Sequence, residues 1–307
     1  MAHFLSIAQT DRARCAGGFT LIEISIVLVI IGLIIGGILV GWDLMNAATI
    51  RAQVTQIEKY STAVNTFRLK FNALPGDIAD PNASAFGFAT RGLFAGEGDG
   101  NGVIEGISAN APSSNFGYCI SGGETAMVFV DLSVAGLIEG GFSTASPTVN
   151  NSPSGASLTA YFPAAKLGGG NYISVWSGGW KMLVTGIDSD GQNYFGIQPI
   201  TGIAGCFPSS SAGNIPVQWA YTIDMKIDDG LPQSGRVTTL FDGATRIWAG
   251  SSTVGGPFTT ATAGSATTCF DNSATASGTP GVGGANQHYS VEMNSGSGLN
   301  CALSFQF

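Results

Sequence analysis

The sequence predicts an α+β fold, in which one long N-terminal helix packs its second half on an antiparallel sheet. Three observations carry that expectation. Residues 19–42 form an apolar run with a single carboxylate, Glu23, and no other charge before Asp43. From Ile50 to Phe71 apolar side chains recur at helical spacing, and beyond Gly141 short runs of β-branched and aromatic residues are separated by Gly, Ser, Asp and Asn. A helical period followed by strand-length segments places the helix and the sheet in one chain, one after the other.

The apolar run is long enough to span a bilayer as a helix. Its one carboxylate is informative, because an acid inside such a helix costs about 2.5 to 3.5 kcal/mol at mid-bilayer and needs a partner. The run itself contains no cation. A cut between Gly18 and Phe19 supplies one, since the new ammonium of Phe19 lies one helical turn from Glu23.

The hexapeptide Gly18-Phe19-Thr20-Leu21-Ile22-Glu23 resembles the prepilin signature of type IV pilins and type II secretion pseudopilins. The resemblance, which spans roughly Gly17 to Asn72, implies that a prepilin peptidase cuts after Gly18 and N-methylates Phe19, and that Glu23 recruits the neighbouring subunit during filament assembly. It implies a leader at residues 1–18, a membrane or filament-core helix at 19–42, an amphipathic continuation at 43–72 and a pilin-like α+β head at 73–307. The partners it implies are prepilin peptidase, other copies of the chain and related pilins. The implied location is the bacterial inner membrane, crossed once with the head in the periplasm, and then a periplasmic or cell-surface filament. An ordinary membrane anchor with Glu23 snorkelling to the interface is the plainer reading, and the rarity of unpaired carboxylates in membrane helices weighs against it.

Composition agrees with an outward-facing envelope protein. Of the 307 residues 44% are hydrophobic, an ordinary share, but only 10% are charged, against about 25% in soluble domains. Ser, Thr, Asn and Gly must cover the surface instead. Removing residues 1–18 takes Arg12, Arg14 and Asp11 from a formal charge of −8, leaving −9. That balance, without clustered Lys or Arg, argues against binding a nucleic acid backbone. The leader has no apolar core ahead of the cut of the kind a secretory signal carries, so the apolar segment stays in the mature chain.

Cys15 falls in the leader, which leaves Cys119, Cys206, Cys269 and Cys301, an even set suited to an oxidising compartment. Four cysteines allow three pairings, or four buried thiols. The resemblance to pilins favours Cys269 with Cys301 as a closing loop at the C-terminus, leaving Cys119 with Cys206.

In the helix, Ile50, Val54, Ile57, Val64, Phe67 and Phe71 define one face, with Arg51, Gln53, Gln56, Lys59 and Asn65 placed on others. The helix is expected to end near Asn72, ahead of Leu74-Pro75-Gly76, giving a rod of about 80 Å at 1.5 Å per residue. Gly32, Gly36, Gly37 and Gly41 suit close helix packing or local unwinding.

A loop-rich region follows. Leu74-Pro75-Gly76-Asp77 resembles segments that follow the helix in a pilin-like subfamily. Further on, Glu97, Asp99 and Asn101 alternate with glycines ahead of Val103-Ile104, as in the first half of a calcium loop. Ser108 stands where an EF-hand has its bidentate Glu, so a glycine-rich turn competes with a Ca²⁺ site. The expectation is that no cofactor is required, with Ca²⁺ at Glu97, Asp99 and Asn101 the one candidate. Glu124 to Gly140 reads as a core helix ended by Gly140-Gly141.

Strands are expected at Tyr172 to Trp176, Lys181 to Ile187 and Tyr194 to Ile197. Trp219, Tyr221, Ile223, Met225 and Ile227 alternate with smaller or polar residues, a period of two that also reads as a strand. On such a strand Asp224 and Asp228 stand about 13 Å apart, too far for one ion, so Asp228-Asp229-Gly230 reads as a solvated turn leading to Val237–Phe241. Thr245 to Trp248 is a further short strand, residues 250–285 a long polar loop, and Val291, Met293 and Leu303 to Phe307 a return to the sheet.

The function expected is a structural subunit of a type IV pilus or type II secretion pseudopilus-like filament. The alternative is a low-copy minor pilin at the tip that binds a surface or substrate through its head. An enzyme is not expected: His288 is the only histidine after residue 18, and no G-x-S-x-G elbow, Walker loop or H-E-x-x-H motif occurs.

Overall fold

The structure is a computed structural model. It describes residues 20–108, 111–116, 119–177, 191–205, 207–209, 213–232, 234–239, 247–248, 251–252, 269–271, 288–291 and 296–307. The chain divides into two compact units, Met1–Ala48 and Thr49–Phe307.

In the first unit, helix α1 (Leu21–Phe71) begins and runs unbroken through Gly32, Gly36, Gly37 and Gly41. Its apolar side chains up to Met45 face outward, and it is long and apolar enough to cross a membrane.

In the second unit the remainder of α1 buries Ile50, Gln53, Ile57, Tyr60, Ala63, Val64 and Phe67, a stripe at helical spacing. The apolar part matches the expected face. Gln53 does not: it lies on the buried side, where its Oε1 accepts the Leu167 amide at 3.2 Å. One turn on, Gln56 donates to Ala164 O and accepts from the Lys166 amide. Two glutamines one turn apart thus grip a single stretch of main chain, although the buried Gln53 Nε2 finds no partner among the described residues. The helix stops at Asn72, whose φ of 52° puts it in the left-handed region that suits a cap, with Arg68 and Lys70 in the last turn complementing the dipole.

Helix α2 (Asn82–Ala85) is a single turn, and helix α3 (Glu124–Val134) is buried from Glu124 to Leu132. The sequence suggested that α3 runs to Gly140. It ends sooner because Gly136, at φ 69°, closes a Schellman motif: Leu137 N–H donates to Leu132 O and Gly136 N–H to Ser133 O.

Four antiparallel strands form the main sheet, in the spatial order Asn171–Ser177, Asn193–Pro199, Leu303–Gln306, Val237–Thr239. The expected strands at 172–176, 194–197 and the C-terminus are all present. One face carries Ile173, Val175, Phe195, Ile197, Leu303 and Phe305 into a core shared with α1 and α3, where the Tyr60 ring lies 5.7 Å from Phe129 and 6.0 Å from Phe195. The other face carries Trp176 and Tyr194, stacked at 4.5 Å, onto Ile120, Leu158 and Phe162. An α+β pilin-like arrangement, long apolar helix followed by antiparallel sheet, is therefore what the chain adopts.

One expected strand is a helix. Residues 217–227 form α4 (Val217–Ile227), burying Val217, Ala220, Ile223 and Asp224 while Met225 stays 52% exposed. Inward positions follow the helical repeat and ignore the alternation of large side chains. Aromatic and β-branched preference for strands is worth only about 1 kcal/mol and yields to packing. Of the later expectations, Ile247–Trp248 is a two-residue strand paired with Ser251–Ser252, and Val291 lies in a turn. Residues 181–187, 240–246, Met293 and most of 250–285 lie outside the described residues.

The segment after α1 is pinned to α3 by a buried ion pair. Asp131 accepts from Arg91 Nη2 at 2.5 Å and from the Gly76 amide at 2.6 Å, with both charged side chains fully buried. Asp131→Asn leaves the Arg91 guanidinium buried without a counter-charge and is expected to lower unfolding free energy by about 3 to 5 kcal/mol. Denaturant titration of the detergent-solubilised chain measures this, and Arg91→Met with Asp131→Leu should recover much of the loss.

Candidate functional site

The start of α1 is the first candidate. Thr20 precedes the helix, and its main-chain N–H and its hydroxyl both donate to Glu23 Oε2 at 2.8 Å, while the Glu23 amide donates back to Thr20 Oγ1 at 3.3 Å. This is a capping box: two of the helix's unsatisfied N–H donors are met by a threonine and a glutamate three residues apart. The sequence reading gave Glu23 no partner short of a new ammonium. Thr20 is the partner it missed, and the signal was present as the T-x-x-E spacing. Gly18 and Phe19 lie outside the described residues.

A second group of acids sits under the loop that resembles a calcium site. Carboxylate oxygens of Asp77, Asp99 and Glu124 lie within 4.8 Å of one another. Asp99 was expected there; Asp77 and Glu124 were not, because they come from distant parts of the chain. The other two expected ligands turn elsewhere. Glu97 is buried and accepts from the Phe94 amide, and Asn101 bonds Asp99 and the Val103 amide.

The loop grips these acids with its backbone. Asp77 accepts from the amides of Gly100, Asn101 and Gly102, and Glu124 from those of Gly98, Asp99 and Glu105. Successive amides turned inward by glycines at positive φ (Gly98, Gly100, Gly102) form an anion-binding nest. Gly76 permits the approach, since a Cβ there would meet Glu124 O at 2.4 Å. Burial still pushes Asp77 up to about 6 against its three amide donors, with Asp99 adding to the rise. Burial raises Glu124 well above the usual range, and Asp77, Asp99 and Glu105 push the same way. As a Ca²⁺ donor set the cluster supplies three carboxylates of the six to eight or so oxygens such an ion takes, two of them already engaged by amides.

Helix α4 builds a third group. Asp224 is buried and accepts from Tyr289 Oη at 2.6 Å and from the Gly230 amide. Asp228 and Asp229 bring carboxylate oxygens within 4.8 Å of Asp224. The separation expected for a strand does not arise, because on a helix positions four apart are neighbours. Burial lifts Asp224 to about 7, with Asp229 and Asp228 adding to it, and burial lifts the Tyr289 phenol well above its ordinary value.

Cys269 and Cys301 form a disulfide with Cα atoms 5.0 Å apart, the closing loop that the pilin resemblance implied. Cys119 is buried and disulfide-bonded, and Cys206 lies outside the described residues.

A capped apolar helix opening on Thr20 and Glu23, long and apolar enough to cross a membrane, defines a class of chain with an N-terminal segment of spanning length. Within that class the match is particular: residues 13–39 fit the prokaryotic N-terminal methylation motif, the type IV pilin and pseudopilin signature. The N-terminus thus carries the processing signature of type IV pilin-like precursors. No curated protein and no solved structure matches the chain.

The raised acids give stability a definite pH dependence. Asp224, lifted to about 7 in the folded chain from an ordinary carboxylate's 3.8, holds its proton better when folded. Its contribution is complete below about pH 4 and lost as pH rises through 7. Melting temperature should therefore fall between pH 5 and pH 8, and Asp224→Asn, which keeps an acceptor for Tyr289, should flatten that slope.

Proposed function

We propose that the chain is a structural subunit of a type IV pilus or type II secretion pseudopilus-like filament, held in the inner membrane by α1 and assembled through it. The observation that carries this reading is the methylation motif at residues 13–39 running directly into an exposed apolar helix. Cleavage after Gly18 frees the Phe19 amine beside a carboxylate already fixed by Thr20. In a filament core of packed helices water is excluded, so a Glu23 carboxylate facing a neighbour's ammonium gains Coulomb energy that it lacks in water. The cost of leaving either charge unpaired there makes the pair a register device.

A tip subunit that binds a surface or substrate is the second reading. It is favoured by a large head, residues 49–307, on a chain of which only 10% is charged. Its abundance in sheared filaments separates the two: a body subunit dominates them, and a tip subunit is rare. The pilin signature suggests a structural role and not an enzymatic one.

Terminal sequencing of the mature protein should read Phe19 first, one methyl heavier at its amine. Glu23→Gln keeps a capping side chain at that helix position but removes the charge. It is expected to leave the membrane level unchanged and abolish most filament yield; normal yield from this variant would sink the reading.

A further inference from the structure

Charge is unevenly distributed over the head unit. From Arg51 to Lys70, α1 exposes four cations, Arg51, Lys59, Arg68 and Lys70, against one carboxylate, Glu58, on a chain whose formal charge is −8. Arg51, Thr55, Lys59, Thr62, Thr66 and Leu69 descend one side of the helix, opposite the stripe of Ile57, Val64 and Phe67 that enters the core. Leu69 is 89% exposed amid these charges. Lys70 lies beside this side, with its Nζ 4.9 Å from the Phe71 ring centre, Glu58 shares it with Arg51, and Arg68 points away from it. Among the described residues the only ion pair is Arg91 with Asp131, so none of the three cations on this side is held in one.

The turn after α4 is its opposite. Asp228 and Asp229 stand beside Asp224 with carboxylate oxygens within 4.8 Å, and the donors that hold them are neutral. Asp228 accepts from the amides of Arg236 and Val237, and Asp229 from the Leu231 amide and the Ser234 hydroxyl. Lys226 and Arg236 are exposed nearby, yet neither forms an ion pair with them, and the Arg236 guanidinium donates instead to Gln306 O. Met225, 52% exposed, supplies an apolar side chain at the same end of the helix.

We propose that the basic face of α1 between Arg51 and Lys70 docks on the acidic turn after α4 of a second copy of this chain, an inference that rests on the filament reading above. Two unlike patches of opposite charge on one molecule make a heterologous contact, and such a contact, repeated without closing, generates an open helical assembly. Leu69 on one side and Met225 on the other are the apolar side chains it buries. Exposed ion pairs are individually weak, so the contact sets orientation and register through opposed potentials and gathers strength by repetition along the filament.

The test is zero-length carbodiimide coupling of sheared filaments grown from a mixture of isotopically light and heavy subunits, followed by peptide mass spectrometry. Expected are amide links from Lys59 or Lys70 to Asp228 or Asp229 that join light to heavy chains. Lys59→Glu with Lys70→Glu should cut filament yield several-fold at unchanged membrane level, and adding Asp229→Lys should restore part of it. Normal filaments that give no light–heavy link, and undiminished yield from the reversed variant, overturn the proposal and leave the filament reading standing. A processed, membrane-resident wild-type chain that builds no filament overturns both.

Discussion

A carboxylate removed from water must be met by donors or take up a proton, and in this chain the donors are mostly main-chain amides. Cations are scarce, 12 Lys and Arg in 307 residues, and among the described residues one buried acid, Asp131, has a guanidinium partner. Asp77 and Glu124 each take three amides from the loop at 98–105. Asp224 takes Gly230 and a phenol. Amide donors favour the ionised form while burial opposes it, and at Asp77 and Asp224 burial wins, as their raised values record. The abundance of glycine, 45 residues, is the other side of the same constraint. Positive φ at Gly98, Gly100 and Gly102 is what turns consecutive amides toward one anion.

That constraint explains which parts of the molecule were legible in the sequence. The apolar helix, its inward stripe, three strands and the C-terminal disulfide follow from periodicity, turn residues and resemblance, all local or nearly so. The loop at 97–101 was legible only as an alternation of oxygens and glycines. Its true organisation is inverted: the loop contributes amides, and the acids come from Asp77, in the turn after α1, and Glu124, at the start of α3. Nothing in the sequence places residues 77, 99 and 124 together; the packing of Gly76 against the Glu124 carbonyl does so.

Two errors of period have the same origin. In α4 the alternation of Trp219, Tyr221, Ile223 and Met225 fits a strand, but the buried set is Val217, Ala220, Ile223 and Asp224, and small Ala220 carries as much weight as the aromatics. At the end of α3 several glycines competed as stop signals, and the first one able to close a Schellman motif, Gly136, prevailed. Pattern reading weighs side chains by size and glycines by number; folding weighs them by the space and hydrogen bonds available.

The same accounting joins the N-terminus to the head. At Thr20 the capping box meets Glu23 with neutral donors and supplies no counter-charge, which on the filament reading proposed above a neighbouring subunit would bring. At the turn after α4, Asp228 and Asp229 are likewise held in place by amides and a hydroxyl. Neutral donors fix geometry without supplying a counter-charge, which is the condition that the proposed contact between copies requires at Asp228 and Asp229. With Arg51, Lys59 and Lys70 toward the exposed side of α1, the proposed contact has its two halves on separate elements of one molecule.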